Sequence, residues 1–208
     1  MTEIYTDIQV ERSAAIRNAM SGLKTALASE VIVATIDEAK ACLLGLAKQA
    51  SLFPRSEFPL PTEGQNGRTF CIYTEPDGQF SLYVITATRG MTYRPHNHGN
   101  SWAIVAAVEG QERHYLYQRT DDQSVPGKGQ VEVVSELIVE PGNGISILEG
   151  GIHSIETANE EPLLHLHCYG WDFDHQTARI EFDVAAGTCE LNNDIGLIEQ
   201  VPLAPNAL

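Results

Sequence analysis

From residue 68 to residue 184 the chain is cut by Gly, Pro and Asp into short β-prone runs, and this punctuation narrows the choice of fold more than any other feature. The runs span 68–73, 80–88, 101–108, 111–117, 131–139, 145–148, 163–171 and 180–184, about eight strands, a count that fits a barrel or jelly roll. Glu109-Gly110 reads as a hairpin turn that folds 111–117 back along 101–108. Residues 120–129 read as a polar, mobile loop. Residues 1–50 carry a different period: Ala14, Ile16, Met20, Leu23 and Leu27, then Ala39, Cys42, Leu43 and Leu46, recur at helical spacing. Pro54, Pro59 and Pro61 break any helix and mark a connector. The expected organisation is a helical extension over 1–60 packed on a barrel of 61–190, then a tail over 191–208. That tail is either an arm over a neighbouring subunit of a homodimer or simply loose, and the second reading is preferred.

Composition restricts function mainly by exclusion. A formal net charge of −15 argues against nucleic acid or an anionic membrane as partner, since both need a basic footprint. Met1 to Val10 lacks a basic start followed by an apolar core, and no apolar run approaches membrane-spanning length. Cys42, Cys71, Cys168 and Cys189 are scattered with no CxxC pair, so reduced thiols in a cytoplasmic setting are the default expectation.

The chemistry gathers around histidine. On a strand, alternate side chains share a face, so His96 and His98 point one way and can grip one ion while Asn97 points the other. A third ligand must come from elsewhere, and His153, which opens a strand after the Gly150-Gly151 turn, is the best candidate. Farther on, His165, His167 and Tyr169 alternate along one strand and share a face, with Leu164, Leu166 and Cys168 on the other. Inward polar side chains need partners or a job, and this trio is expected to line the same pocket.

The spacing Gly90-x5-His96-x-His98, then Gly110, and later Gly142-x7-Gly150-x2-His153 resembles the two halves of the cupin double-stranded β-helix signature. Leu148 stands where that family usually has proline, and Trp102 and Ala103 stand where it commonly supplies a carboxylate. The nearest acid along the chain, Glu109, suits a turn better than a ligand, so the expected centre is three neutral imidazoles with no acid beside them. Such a centre leaves a divalent ion its full charge and up to three open positions, which favours anionic substrates, thiolates above all. A 2-oxoglutarate oxygenase is disfavoured because Asn97 and His98 occupy the places of its usual ligating carboxylate. No Gly-x-Ser-x-Gly elbow marks a hydrolase.

HNHGNSWAIVAAVEG followed by HLHCYG is similar, more narrowly, to the thiol dioxygenase branch of the cupins, the cysteine and 3-mercaptopropionate dioxygenases. The resemblance covers roughly residues 68–185 and implies a mainly β cupin jelly-roll barrel with an N-terminal helical extension. It also implies Fe(II) held by His96, His98 and His153, with His167 and Tyr169 as the catalytic pair beyond the metal. His165 replaces the family's serine, and a role in salt-bridging a second substrate carboxylate is open to it. Ala103 replaces the cysteine that animal-type enzymes link to the tyrosine, so no such crosslink can form. The family's substrate-binding arginine or glutamine falls at Arg68 or Thr69, and one residue of register decides which faces inward. Arg94 and Arg113 are further cations, read as solvated. The expected activity is oxidation of a small carboxylate-bearing thiol to its sulfinate by O2. Alternatives are a three-histidine oxygenase cleaving a carbon–carbon bond in a diketone, or a metal-binding cupin without catalysis.

Overall fold

A computed structural model describes residues 4–192, 194 and 196–205. Two helices come first, α1 (Asp7–Ala26) and α2 (Val33–Ala47). Thr6 caps α1 with a reciprocal pair: its hydroxyl accepts from the Gln9 amide at 3.3 Å, and the Gln9 side chain accepts from the Thr6 amide at 2.9 Å. A short 3-10 turn (Ala50–Leu52) and the proline connector then lead to β1 (Gly67–Tyr73), β2 (Gln79–Ala87), β3 (Thr92–His96), β4 (Ala103–Glu109), β5 (Glu112–Arg119) and β6 (Val131–Val139). The remaining strands are β7 (Gly144–Ile147), β8 (Ile152–Thr157), β9 (Leu163–Trp171), β10 (Ile180–Asp183), β11 (Thr188–Leu191) and β12 (Ile198–Gln200). Among the described residues no helix is long and apolar enough to cross a membrane.

The strands form two six-stranded sheets, ordered β12-β1-β2-β9-β4-β7 and β11-β10-β3-β8-β5-β6. Taking β2 to β9 as eight successive strands, the first sheet holds the first, eighth, third and sixth, and the second holds the second, seventh, fourth and fifth. That alternation is the jelly roll, the double-stranded β-helix of the cupins, and the strand order itself defines it. It also corrects two expectations. Glu109-Gly110 is not a hairpin: β4 pairs with β7 and β9 while β5 pairs with β6 and β8, so the turn carries the chain from one sheet to the other. Gly110 has φ +75°, and a Cβ there would lie 2.6 Å from the Pro162 carbonyl oxygen, so the crossing requires glycine. The segment after residue 190 is not loose where described: β12 joins the β1 edge in parallel, with Thr69 opposite Ile198, and Ala204 is buried with its amide donating to Ser13 Oγ at 2.8 Å. Residues 193, 195 and 206–208 of that tail lie outside the described residues. The loop over 120–129 is tied down at Asp121, which accepts from Arg119 at 2.9 Å and from the Gln130 amide at 2.7 Å.

The first sheet has two apolar faces, one for the helices and one for the barrel. Phe70, Ile72, Leu82, Val84, Ile104, Leu164, Leu166 and Cys168 face outward onto Ile16, Met20, Leu23, Ile36, Ala39, Leu43 and Leu46 of the helices. Tyr83, Ala103, Val105, Ala107 and Tyr169 alternate with them and face the barrel interior. Ala14, read as part of the helix's apolar stripe, is exposed; Arg12 and Ser13 are the buried residues of that turn. Arg12 is 2% exposed because it is fully engaged, donating to Glu57 at 2.7 Å and to the Leu52 carbonyl at 3.1 Å, which fastens α1 to the connector.

The helices therefore share one core with the barrel. Leu43→Ala is expected to lower unfolding free energy by about 2–5 kcal/mol. In urea, the fluorescence of Trp102 and Trp171 and the far-UV helicity should be lost in one coincident transition; two separate transitions would make the helices an independent unit.

Candidate metal centre

β3 and β8 place the first three histidines. His96 ends β3 directly opposite His153 of β8. His98 lies past the strand end, so the expected strand alternation is not what aims it. A tight turn does: Asn97 Oδ1 accepts from the amides of Gly99 at 3.1 Å and Ile180 at 2.9 Å, and Gly99 has φ +59°. A Cβ at Gly99 would sit 1.8 Å from the Thr177 carbonyl oxygen. The turn brings the His98 ring within 5.3 Å of His96 and 5.0 Å of His153, centroid to centroid.

One nitrogen from each of the three rings lies within 4.8 Å of the other two, and all three residues are buried. His98 Nε2 and His153 Nε2 are 3.3 Å apart. An ion bonded to imidazole nitrogens at roughly 2.0–2.1 Å imposes ligand–ligand edges of roughly 2.9–3.4 Å, so this separation fits a coordination polyhedron. His96 Nδ1 donates to the Arg94 carbonyl at 2.7 Å, which leaves Nε2 as the lone-pair nitrogen. Burial pushes the His96 imidazole down to about 3, with Arg179 adding to the effect, and burial likewise holds His98 and His153 well below the ordinary histidine value. Three neutral rings with converging lone pairs are what a divalent cation requires.

A second buried group stands beside the first; the sequence reading named its His165 and His167 but not Glu112 or His114. Glu112 and His114 lie on β5 with alternate residues inward, and both are essentially unexposed at 1% and 0%. Glu112 Oε2 accepts from His114 Nε2 at 3.0 Å and from His165 Nδ1 at 3.0 Å, and His167 Nε2 stands 4.0 Å away. Burial alone would raise this carboxyl, but the neighbouring His165 and His114 outweigh it and hold it well below the usual carboxylate range. The three-histidine group itself contains no acid, as expected, but a buried carboxylate that the sequence reading did not name stands one residue removed from it, on the strand after Gly110. The period-two pattern Glu112-x-His114 was the available signal, the same one that exposed His165-x-His167-x-Tyr169.

Those last three residues share a face as expected, with Val105 opposite His167 and Ala107 opposite His165. His167 Nδ1 is 3.2 Å from the Tyr169 hydroxyl, and the Tyr169 ring lies 5.2 Å from that of His98. Burial pushes His167 down to about 3, with Glu112 opposing, and raises Tyr169 so that it remains a phenol. A cavity of about 270 Å³ opens onto His96, His98, Glu112, His167, Tyr169, Thr69 and Arg179.

The proposed substrate residues divide. Thr69 lines the cavity. Arg68 does not: its guanidinium pairs with Glu199 of β12 at 2.7 and 2.8 Å and lies over the Phe70 ring, because β12 gives the outward face of β1 an acidic neighbour. His165 is fully buried and faces Glu112, so its acid partner belongs to the protein and it does not reach the cavity. Arg94 is largely exposed near Glu181 and Asp183, and Arg113 pairs with Glu136 and Glu156. Among the described residues that line the cavity the cation is Arg179, just before β10, which the sequence reading overlooked. All four cysteines are free, and Ala103 lies opposite Tyr169.

No family model and no curated protein matches the chain. Among solved structures, it is similar to the cupin domain of Schizosaccharomyces pombe Cnp3, at 10% identity over 55% of this chain and 72% of that one, with a TM-score of 0.42. A double-stranded β-helix protein of Klebsiella pneumoniae aligns at 13% identity over 59% of this chain and 86% of that one, also with a TM-score of 0.42. A recombinant oxalate oxidase solved with glycolate aligns at 13% identity over 55% of this chain and 56% of that one, with a TM-score of 0.43.

Neutral buried histidines couple stability to pH. For His96 and His167 the folded-state value is about 3 against about 6.5 when unfolded, so the unfolded chain binds more protons between those limits. Their contribution is complete above about pH 6.5 and is lost as pH falls toward 3. The lowered Glu112 acts in the same direction below about pH 4.5. In chelator, the urea midpoint of the metal-free protein should fall steeply between pH 7 and pH 5; a flat profile would contradict the neutral-imidazole description.

Proposed function

We propose that this chain is a non-haem Fe(II) thiol dioxygenase that converts a small carboxylate-bearing thiol to its sulfinate with O2. What carries the reading is a juxtaposition on one cavity: the ring trio of His96, His98 and His153, the contact between His167 and Tyr169, and the guanidinium of Arg179. The overall change balances as R–SH + O2 → R–SO2H, in which sulfur gives up four electrons and both oxygen atoms end on it. His96, His98 and His153 would hold the iron through one nitrogen each. Bound there, iron supplies the positive charge that favours a thiolate and the redox capacity to engage O2.

The protein's own residues account for the rest. Arg179 captures the substrate carboxylate, and Thr69 offers a hydroxyl on the same wall. His167 Nδ1, 3.2 Å from the Tyr169 oxygen, holds the phenol in position on the cavity wall. Burial raises that phenol and so favours its protonated form. The cavity volume of about 270 Å³ suits a small substrate. A diketone fits less well, since Arg179, Glu112 and Glu181 give the wall strong charges where such a substrate needs apolar surface.

Anaerobic Fe(II) loading followed by an oxygen electrode tests the proposal with cysteine, 3-mercaptopropionate and mercaptosuccinate beside a diketone panel. The expected result is one O2 consumed per thiol, with both atoms of labelled oxygen found in the sulfinate. Oxygen uptake with a diketone only, or iron binding with no uptake in either panel, would replace this reading with another. Arg179→Gln should raise KM about 10–100-fold with a smaller effect on kcat, the equivalent of losing a charged hydrogen bond of about 1.5–3 kcal/mol. Tyr169→Phe should instead lower kcat, while iron binding is retained.

A further inference from the structure

Where a histidine that holds a metal through one ring nitrogen has a partner on the other, that partner fixes the tautomer; His96 and His153 have one, and His98 Nδ1 has none among the described residues. For His96 the partner is the Arg94 carbonyl, 2.7 Å from Nδ1. For His153 it is another histidine: Nδ1 lies 3.1 Å from His114 Nδ1, with the two rings stacked at 5.3 Å and 19° between planes. Two imidazole nitrogens at that distance share a single proton, so one donates and the other accepts.

Only one assignment satisfies every contact. If His153 Nε2, the nitrogen facing His98, presents its lone pair to an ion, then the proton is on His153 Nδ1 and His114 Nδ1 accepts it. His114 must then carry its own proton on Nε2, where Glu112 Oε2 waits at 3.0 Å as an acceptor. The same carboxylate oxygen accepts from His165 Nδ1 at 3.0 Å, which holds it in place from the opposite sheet. Placing the proton the other way, on His114 Nδ1, would strip His114 Nε2 of its hydrogen and set a bare nitrogen against a bare carboxylate oxygen. It would also turn the His153 proton toward His98.

We propose that Glu112 and His114 form a buried carboxylate–imidazole relay that holds His153 in its metal-binding tautomer. The relay deepens the functional reading above and rests on its premise that His96, His98 and His153 hold a metal. Glu112 and His114 are positioning residues in this arrangement: they act on the metal through the His153 ring. The β5 strand makes this feasible, since Glu112 and His114 alternate inward and Leu116, two residues on, lies directly opposite His153, leaving His114 diagonal to it. The arrangement also gives the group Glu112, His165 and His167, whose donor atoms lie within 4.8 Å of one another, a role other than holding a second ion. In this account its carboxylate oxygen is occupied by two ring N–H donors.

Cobalt(II) titration of the metal-free full-length chain tests the relay without reference to turnover. Affinity is read by chelator competition and the ligand field by visible absorption, in wild type, Glu112→Gln and His114→Phe. Wild type should bind one cobalt per chain. Both variants should bind it about 10–100-fold more weakly, with displaced absorption bands, His114→Phe the more severely. A purely structural role would lower the thermal midpoint of the metal-free protein and leave cobalt affinity and bands unchanged, which would overturn the proposal. Glu112→Gln keeps side-chain volume while removing the negative charge that makes Oε2 a strong acceptor for His114, so it carries the test should His114→Phe not fold. A second cobalt equivalent in wild type that disappears in Glu112→Gln would make Glu112 a ligand and overturn the relay. Failure of wild type to bind any cobalt would instead remove the metal reading beneath it, and the two failures are told apart in one titration.

Discussion

Among the described residues six histidines and one glutamate are buried inside a small β-barrel, and the partners these polar groups find there constrain everything else. A carboxylate removed from water costs several kcal/mol unless donors replace its hydration. Glu112 receives them from His114 on its own strand and His165 on the facing sheet. That cross-barrel contact ties the two sheets at the depth of the candidate centre, a bond that apolar packing alone would not orient. The neighbours that make room for the rings are small: Ala103, Val105 and Ala107 stand beside Tyr169, His167 and His165 across β4 and β9.

Around this polar interior the remaining structure acts as a dry shell. The first sheet turns its outer face to α1 and α2 and its inner face to the site, so the helices seal β9 from water on the side opposite His165 and His167. Desolvation is then the common cause of the depressed imidazoles and the raised phenol. The cavity interrupts the shell, and there the charge pattern is mixed: Arg179 among the acids Glu112, Glu181 and Asp194.

Local chemistry made much of this legible. The helical period of residues 1–50 and the punctuation from residue 68 onward indicated helices followed by a jelly roll, and 131–139 and 163–171 were bounded as the strands β6 and β9 are. His96, His98 and His153 were named from spacing, and His167 with Tyr169 from alternation. β3 and β8 were harder to count as strands because Pro, His, Ser and Glu interrupt their apolar pattern, and β12 because a three-residue edge strand carries almost no periodicity. Arg179 sits in a loop after Ala178 at φ +58°, where no pattern announces which way a side chain turns.

What the sequence by itself determined is therefore whatever depends on neighbours along the chain: which segments are helix or strand, and which residues share a face. Only the tertiary structure decided what depends on strands far apart in sequence. It sent β4 and β5 to different sheets where a hairpin was expected, gave Arg68 to Glu199 and Thr69 to the cavity, and turned Glu112 and His114 into the supports of His153. The reason is physical. Alternation fixes a side chain's face to within a choice of two, but the partner on that face is set by sheet order and register, and those are settled by the burial of the whole barrel at once.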